Sequence, residues 1–304
     1  MIAPELIVVK SSELTLAVSP VGAEMQSVVC DEVERLWCAD PAVWGRHAPL
    51  LFPFIGRLRD GYYELDGQRI DAPTHGFCRD RLFAAEERDG ASLRFVTCDD
   101  ADTRAVYPFA FRLEIGYAVE GPTITKTLRV ENTGNAPMPF EIGGHEAYAT
   151  CLEPGETMAD YFVSFGAAGA GASGAELDRI EMFAMDSDGI LGLPKISVPL
   201  EGGRLTRTPE QLGIDTIVLE NVPGSTVALA SAKSERSVTV EFPGFPYLGI
   251  WTKPAGDATR YLCLEPWSAL PDAHFSPREL ARKPGVRTVA PGEVCELAYR
   301  MTFR

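Results

Sequence analysis

Histidine is scarce in this 304-residue chain, with four in all, and none stands in an HxD, HxE or HxxxH pair. That removes the short ligand spacings by which many metal sites are read. The GxxxxGK[ST] loop of nucleotide hydrolases and the GxSxG elbow of serine hydrolases are missing too. Seven cysteines (Cys30, Cys38, Cys78, Cys98, Cys151, Cys263 and Cys295) are odd in number, far apart and free of any CxxC pair. They read as reduced, mostly buried thiols rather than a disulfide framework. Basic side chains are few, 28 against 43 acidic ones, and the net charge of −15 excludes nucleic acid and anionic membrane surfaces as partners. No apolar run reaches the roughly 18 residues of a membrane span, and the opening MIAPELIVVK has no basic segment leading into a long apolar core. The expected compartment is therefore the cytoplasm.

Sustained helical periodicity is also missing, whereas short alternating or β-branched runs bounded by turn residues recur from end to end. The chain reads as all-β, one domain over residues 1–304. ELIVVK and ELTLAV form a hairpin around Ser11 and Ser12, and Gly22 marks a turn. YYEL and QRID flank Asp66-Gly67, a type I′ hairpin signal. FRLEIGYAVE, TITKTLRVEN and PMPFEIGG read as a meander, and STVALAS, SVTVEF, YLGIWT, RYLCLE and VCELAYRMTF as further strands. GAAGAGASG over 166–174 reads as a surface loop or flap. Only SPRELARKPG reads as helix, with Ser276 as cap, Pro277 in the first turn, Glu279 completing a capping box and Gly285 past the end.

Three separated stretches each present an ionisable group in a glycine- or proline-shaped frame: THGF around His75, IGGHEAY around His145 and LCLEPW around Glu265. Two imidazoles and a carboxylate suit general acid and base work on a small polyol, which needs no metal or organic cofactor. A facial metal triad is the competing reading of the same set. Standing alone, Glu265 reads equally well as a surface carboxylate, and His47 and His274 as surface or packing residues. Phe52, Phe54, Phe77, Tyr148, Phe245, Tyr247, Trp251 and Trp267 are mostly core, yet aromatic faces beside polar groups also suit a carbohydrate cleft.

APLLFPFIGRLRDGYYELDGQRIDAPTHGF, PFEIGGHEAY, and FPYLGIWTKP with LCLEPW stand in an order and spacing that resemble the aldose 1-epimerases, or galactose mutarotase-like proteins, in their shorter bacterial branch. The resemblance covers nearly the whole chain. It implies a large antiparallel β-sandwich of the supersandwich type with an open cleft, and a small sugar as the partner. It implies His145 as general acid, Glu265 as general base, His75 as a second imidazole near the ring oxygen, Arg57 as a sugar-hydroxyl ligand and Asp215 as a sugar-binding aspartate. Where that branch often has proline after its central histidine, this chain has Glu146, which would either alter the protonation of His145 or face solvent. The expected activity is interconversion of the anomers of a neutral aldose. The alternatives are a glycoside hydrolase, a non-catalytic sugar-binding protein, and a hexose-6-phosphate mutarotase using Arg57, Arg59, Arg79 and Arg81.

Overall fold

The strand Thr123–Asn132 shows in one segment why this sequence builds sheets. Ile124, Lys126, Leu128 and Val130 point inward and the residues between them are half-exposed, the period of two that a half-buried strand requires. It pairs antiparallel with Phe111–Glu120 on one side, through a turn at Gly121-Pro122, and with Val294–Phe303 on the other. The computed structural model describes residues 5–166 and 177–304.

These three strands form the middle of a nine-stranded antiparallel sheet. Ser237–Glu241, Thr226–Ser231, Tyr161–Phe165 and the edge strand Arg204–Leu205 extend it to one side, and Ser92–Cys98 and Ala84–Arg88 to the other. A six-stranded antiparallel sheet runs Glu146–Ala149, Tyr261–Trp267, Tyr247–Trp251, Thr216–Glu220, Arg179–Met185 and Leu191–Pro199. The two sheets share a core. Ile115, Leu128 and Val130 from one meet Leu248, Ile250, Leu262 and Leu264 from the other, each buried side chain contributing about 1.5–3 kcal/mol. A four-stranded sheet over residues 7–34 closes against this sandwich, its Ala23 carbonyl accepting from the Tyr117 hydroxyl at 2.7 Å.

The expected hairpins at Ser11-Ser12 and at Asp66-Gly67 form, the latter with φ of 52° and 74°. Three expectations are corrected. PMPFEIGG does not continue the meander: Met138–Phe140 leaves the large sheet and pairs with Arg287–Val289. The helix over SPRELARKPG is confined to one 3-10 turn, Leu280–Arg282. Tertiary contacts hold that segment extended, because the Arg278 carbonyl accepts from Glu64 N–H and the Arg278 guanidinium lies 4.0 Å over the Tyr62 ring. Among the described residues the α-helix is instead Ala101–Val106, where Asp100 and Thr103 form a reciprocal capping box. Thirdly, all seven cysteines are free as expected, but only Cys30, Cys78 and Cys263 are buried, and Cys38 and Cys98 are exposed. The GAAGAGASG segment lies outside the described residues beyond Gly166. Among the described residues no helix is long and apolar enough to cross a membrane.

Candidate active site

Alternation in the six-stranded sheet decides which side chains reach its outer face. In Tyr261–Trp267, Leu262 and Leu264 enter the common core, which sends Cys263, Glu265 and Trp267 the other way. Glu146 pairs with Leu264, so one residue back His145 stands opposite Glu265, and Gly249 is its partner on the other side. Cross-strand register therefore brings His145 Nε2 to 3.4 Å from Glu265 Oε2. Gly249 is required here: a Cβ would lie 2.4 Å from the Trp267 ring, which fills the space beside the carboxylate.

The other wall comes from the first half of the chain, where FIGR and THGF dock on each other. Phe52 bridges to Gly76, His75 N–H donates to the Gly56 carbonyl at 2.9 Å, and Gly56 N–H donates to His75 Nδ1 at 3.2 Å. With Nδ1 accepting, neutral His75 carries its proton on Nε2. Beneath, Ile55 N–H donates to the buried Glu141 carboxylate at 2.8 Å, which Lys283 neutralises at 2.6 Å.

Between these walls lies a cleft of about 270 Å³, room for one sugar ring and little more, lined by Arg57, His75, Arg79, His145, Asp215 and Glu265 among others. Three indoles frame it. Trp44 stacks on the His145 ring at 5.0 Å and 24°, Trp251 meets it edge-on at 5.4 Å, and Trp267 also lines the cleft. His75 meets His145 edge-on at 5.5 Å. Asp215 Oδ1 accepts from Trp251 Nε1 at 3.4 Å. His145 Nδ1 and Glu265 Oε2 are buried without a well-formed hydrogen bond, so the site keeps polar capacity for a polyhydroxylated ligand.

Burial dominates the electrostatics and pushes each group toward its uncharged form. It raises the Glu265 carboxyl well above the ordinary range; Glu146 and then Asp215 add to this while the Trp267 indole opposes it. It lowers the His145 imidazole well below 6.5, helped by His75, Arg79 and Arg46 and opposed by the histidine's own backbone. His75 is brought down to about 3 by burial and then by Arg79, Arg46 and Arg57. The two shifts run toward each other, and both favour the uncharged forms over the carboxylate and imidazolium pair.

All five anticipated residues, Arg57, His75, His145, Asp215 and Glu265, come together in this cleft. Glu265 is 1% exposed, which removes the surface reading. Of the other arginines only Arg79 lines the cleft; Arg59 is turned to the His274 and Ser276 carbonyls, and Arg81 to Asp100. Tyr148, Phe52 and Phe54 belong to the core. Glu146 does not face solvent: it is fully buried on the opposite face of its strand. Trp44, which lines the cleft, was not legible, since WGRHAP has no periodicity that aims it. Among the described residues one group of His, Cys, Asp or Glu comes close enough to be weighed for a metal, His145, Cys263 and Glu265, within 4.8 Å of one another. In this setting burial, then Glu265, holds the Cys263 thiol well above its usual range.

A family model described as Aldose 1-epimerase matches residues 5–151. Protein LacX (chromosomal) of Lactococcus lactis subsp. lactis is 30% identical to the chain, covering 97% of it and 98% of the relative. A galactose mutarotase related enzyme from Lactobacillus acidophilus superposes with a TM-score of 0.89 at 27% identity, over 99% of this chain and 97% of that one. A galactose mutarotase-like protein from Lactobacillus casei gives 0.87 at 26%, over 99% and 100%.

Proposed function

Since the chain belongs to the aldose 1-epimerase family, we propose that it interconverts the α and β anomers of a neutral aldose by acid and base catalysis, within one domain. The observation that carries this reading is the His145–Glu265 contact of 3.4 Å at the floor of a sugar-sized, indole-framed cleft. Opening the hemiacetal takes a proton from the C1 hydroxyl and delivers one to the ring oxygen. After rotation about C1–C2, closure on the other carbonyl face reverses both transfers. Glu265 accepts the hydroxyl proton and His145 supplies the ring-oxygen proton. A sugar hydroxyl is too weak an acid to surrender its proton to a carboxylate unaided, so the two transfers go together. His75, neutral and carrying its proton on Nε2, donates toward the developing oxygen charge, while Arg57 and Asp215 hold hydroxyls.

The shifted proton affinities bear on this cycle. A site that keeps one proton on Glu265 and none on His145 has the proton distribution of the ring-opened stage, and turnover of the cyclic sugar starts from the isomer with that proton on His145. Activity requires one proton on the pair. Below the acid limb both groups are protonated and the base is lost; above the alkaline limb both are bare and the acid is lost. Because His145 is lowered and Glu265 raised, the acid limb should lie below the ordinary imidazole value and the alkaline limb above the ordinary carboxylate value. Rates measured from pH 4 to 9, corrected for spontaneous mutarotation, check this, and a flat profile contradicts it.

One observation favours a second reading. Arg79 Nε is buried without a hydrogen-bond partner, 3.7 Å from Asp80, and with Arg57 it makes the His75 side of the cleft cationic. Such a wall also suits a 6-phosphate. Polarimetry on fresh α-D-glucose and α-D-galactose tests the first reading: acceleration over the spontaneous rate is expected, inhibited only weakly by glucose 6-phosphate. Strong inhibition, or turnover of the phosphate alone, would favour the second.

A further inference from the structure

Lys126 is the one charged residue at an inward position of the alternating strand Thr123–Asn132, and it is wholly buried. Its register partners on the flanking strands are Tyr117 and Tyr299, whose ring centroids lie 5.6 and 5.7 Å from the ammonium. From this sheet Lys126 Nζ reaches across the core to Glu146 Oε1 at 2.8 Å, and the Tyr299 hydroxyl donates to the same oxygen at 2.5 Å. Burying both charges away from water is costly even when they are paired, and an apolar pair would fill the same space. The expense falls at one place, directly behind the acid/base pair.

Two contacts connect it to the site. A Cβ on Gly144 would lie 2.1 Å from the Tyr299 hydroxyl and 2.4 and 2.8 Å from the Glu146 oxygens, so the backbone that leads into His145 rests on this polar cluster. On the opposite side that backbone is clamped, with Gly144 N–H donating to the Pro266 carbonyl at 3.1 Å and Gly143 bridging to Trp267. Glu146 Oε2 is buried with no hydrogen-bond partner, and the residue paired with Glu146 is Leu264, next to Glu265.

We propose that Glu146, paired with Lys126, is a positioning residue for the acid/base pair: it seats the Gly143–Gly144 backbone that aims His145, and it holds a fixed negative charge behind Glu265. This rests on the acid/base reading above. His145 on the neighbouring strand, Cys263 and Trp267 on its own strand and Asp215 at the mouth lie around Glu265, while Glu146 acts on it from the opposite face of the sheet. Those that face Glu146 are Lys126, Tyr299, Tyr117 behind the ammonium, and Tyr148. Of these, Glu146 and Asp215 are the acidic groups whose charge favours the protonated form of Glu265, consistent with the direction of its shift.

The test is the double substitution Glu146→Gln with Lys126→Met, which removes both charges while keeping an amide under Gly144. Two titrations are read: the pH profile of mutarotation, and the pH dependence of the His145 ring ¹⁵N shifts, which needs no turnover. The expected result is that the alkaline limb, and the histidine-shift transition that Glu265→Gln abolishes, move about one pH unit or more toward acid. Tyr299→Phe, which keeps both charges, should leave that transition in place and lower kcat rather than raise KM. An unmoved transition in a folded double variant overturns the proposal. Should the double variant not fold, Glu146→Asp keeps the ion pair but draws the carboxylate back from Gly144; it should move the transition in the same direction, and an unchanged one is again contrary. If the wild-type protein turns over no sugar, the acid/base reading fails, while the ¹⁵N titration still reports whether Glu146 sets the proton on Glu265.

Discussion

Glu265→Gln and His145→Asn should each lower the protein-dependent mutarotation rate by about 10²–10⁴-fold, the range of a positioned general acid or base. Glutamine is close in shape to the protonated carboxyl that burial favours at position 265, so the fold should survive with little change in unfolding midpoint. Asparagine at 145 leaves space between Trp44, Trp251 and His75 and should cost somewhat more stability. The two losses should not multiply. Once one end of the coupled proton transfer is gone the other has little to assist, so the double variant should sit within a few-fold of the worse single one. Polarimetry or a coupled anomer assay, with circular dichroism to confirm folding, reads all three. Retention of more than a tenth of the wild-type rate by either single variant would remove that residue from the chemistry.

Gly144→Ala should be nearly as damaging without touching a reacting group. Its Cβ cannot coexist with the Tyr299 hydroxyl 2.1 Å away, and neither that hydroxyl nor the Glu146 carboxylate can retreat into a packed core. The backbone must shift instead and carry His145 with it. A displacement near 1 Å in a reacting geometry costs about 10²-fold in rate. Lost stability of about 1–3 kcal/mol from overpacking should accompany it, measured by denaturant unfolding. An alanine variant with wild-type rate and stability would mean that the seat is softer than its contacts indicate.

The fold was legible where local chemistry and tertiary demand agree. Thr123–Asn132 alternates cleanly, Asp66-Gly67 accepts the positive φ of a tight hairpin turn, and both formed as read. SPRELARKPG carries real helix-start signals, but Arg278 has better partners in Asp60 and Tyr62, and Lys283 must reach Glu141 and Asp272 in the core. That His75, His145 and Glu265 share one cleft was legible through their glycine and proline frames, and that Arg57 and Asp215 join them through the resemblance. What escaped depends on partners distant in sequence. Nothing near Trp44 says that it will lie on His145, and Lys126 within an alternating strand gives no sign of a carboxylate on another sheet. The direction in which these proton affinities shift was not legible for the same reason, since burial is a property of the assembled sheets.

The position of Val294–Phe303 has a consequence for how the molecule is made. This late strand lies between Thr123–Asn132 and Ser237–Glu241, near the middle of the nine-stranded sheet. During synthesis both neighbours must wait with open edges, and Tyr299, which lies against Lys126 and Glu146, is missing until that strand arrives. Closure is therefore a long-range event, slow by its topology, and chains cut short of residue 294 carry two unpaired edges that invite association with one another.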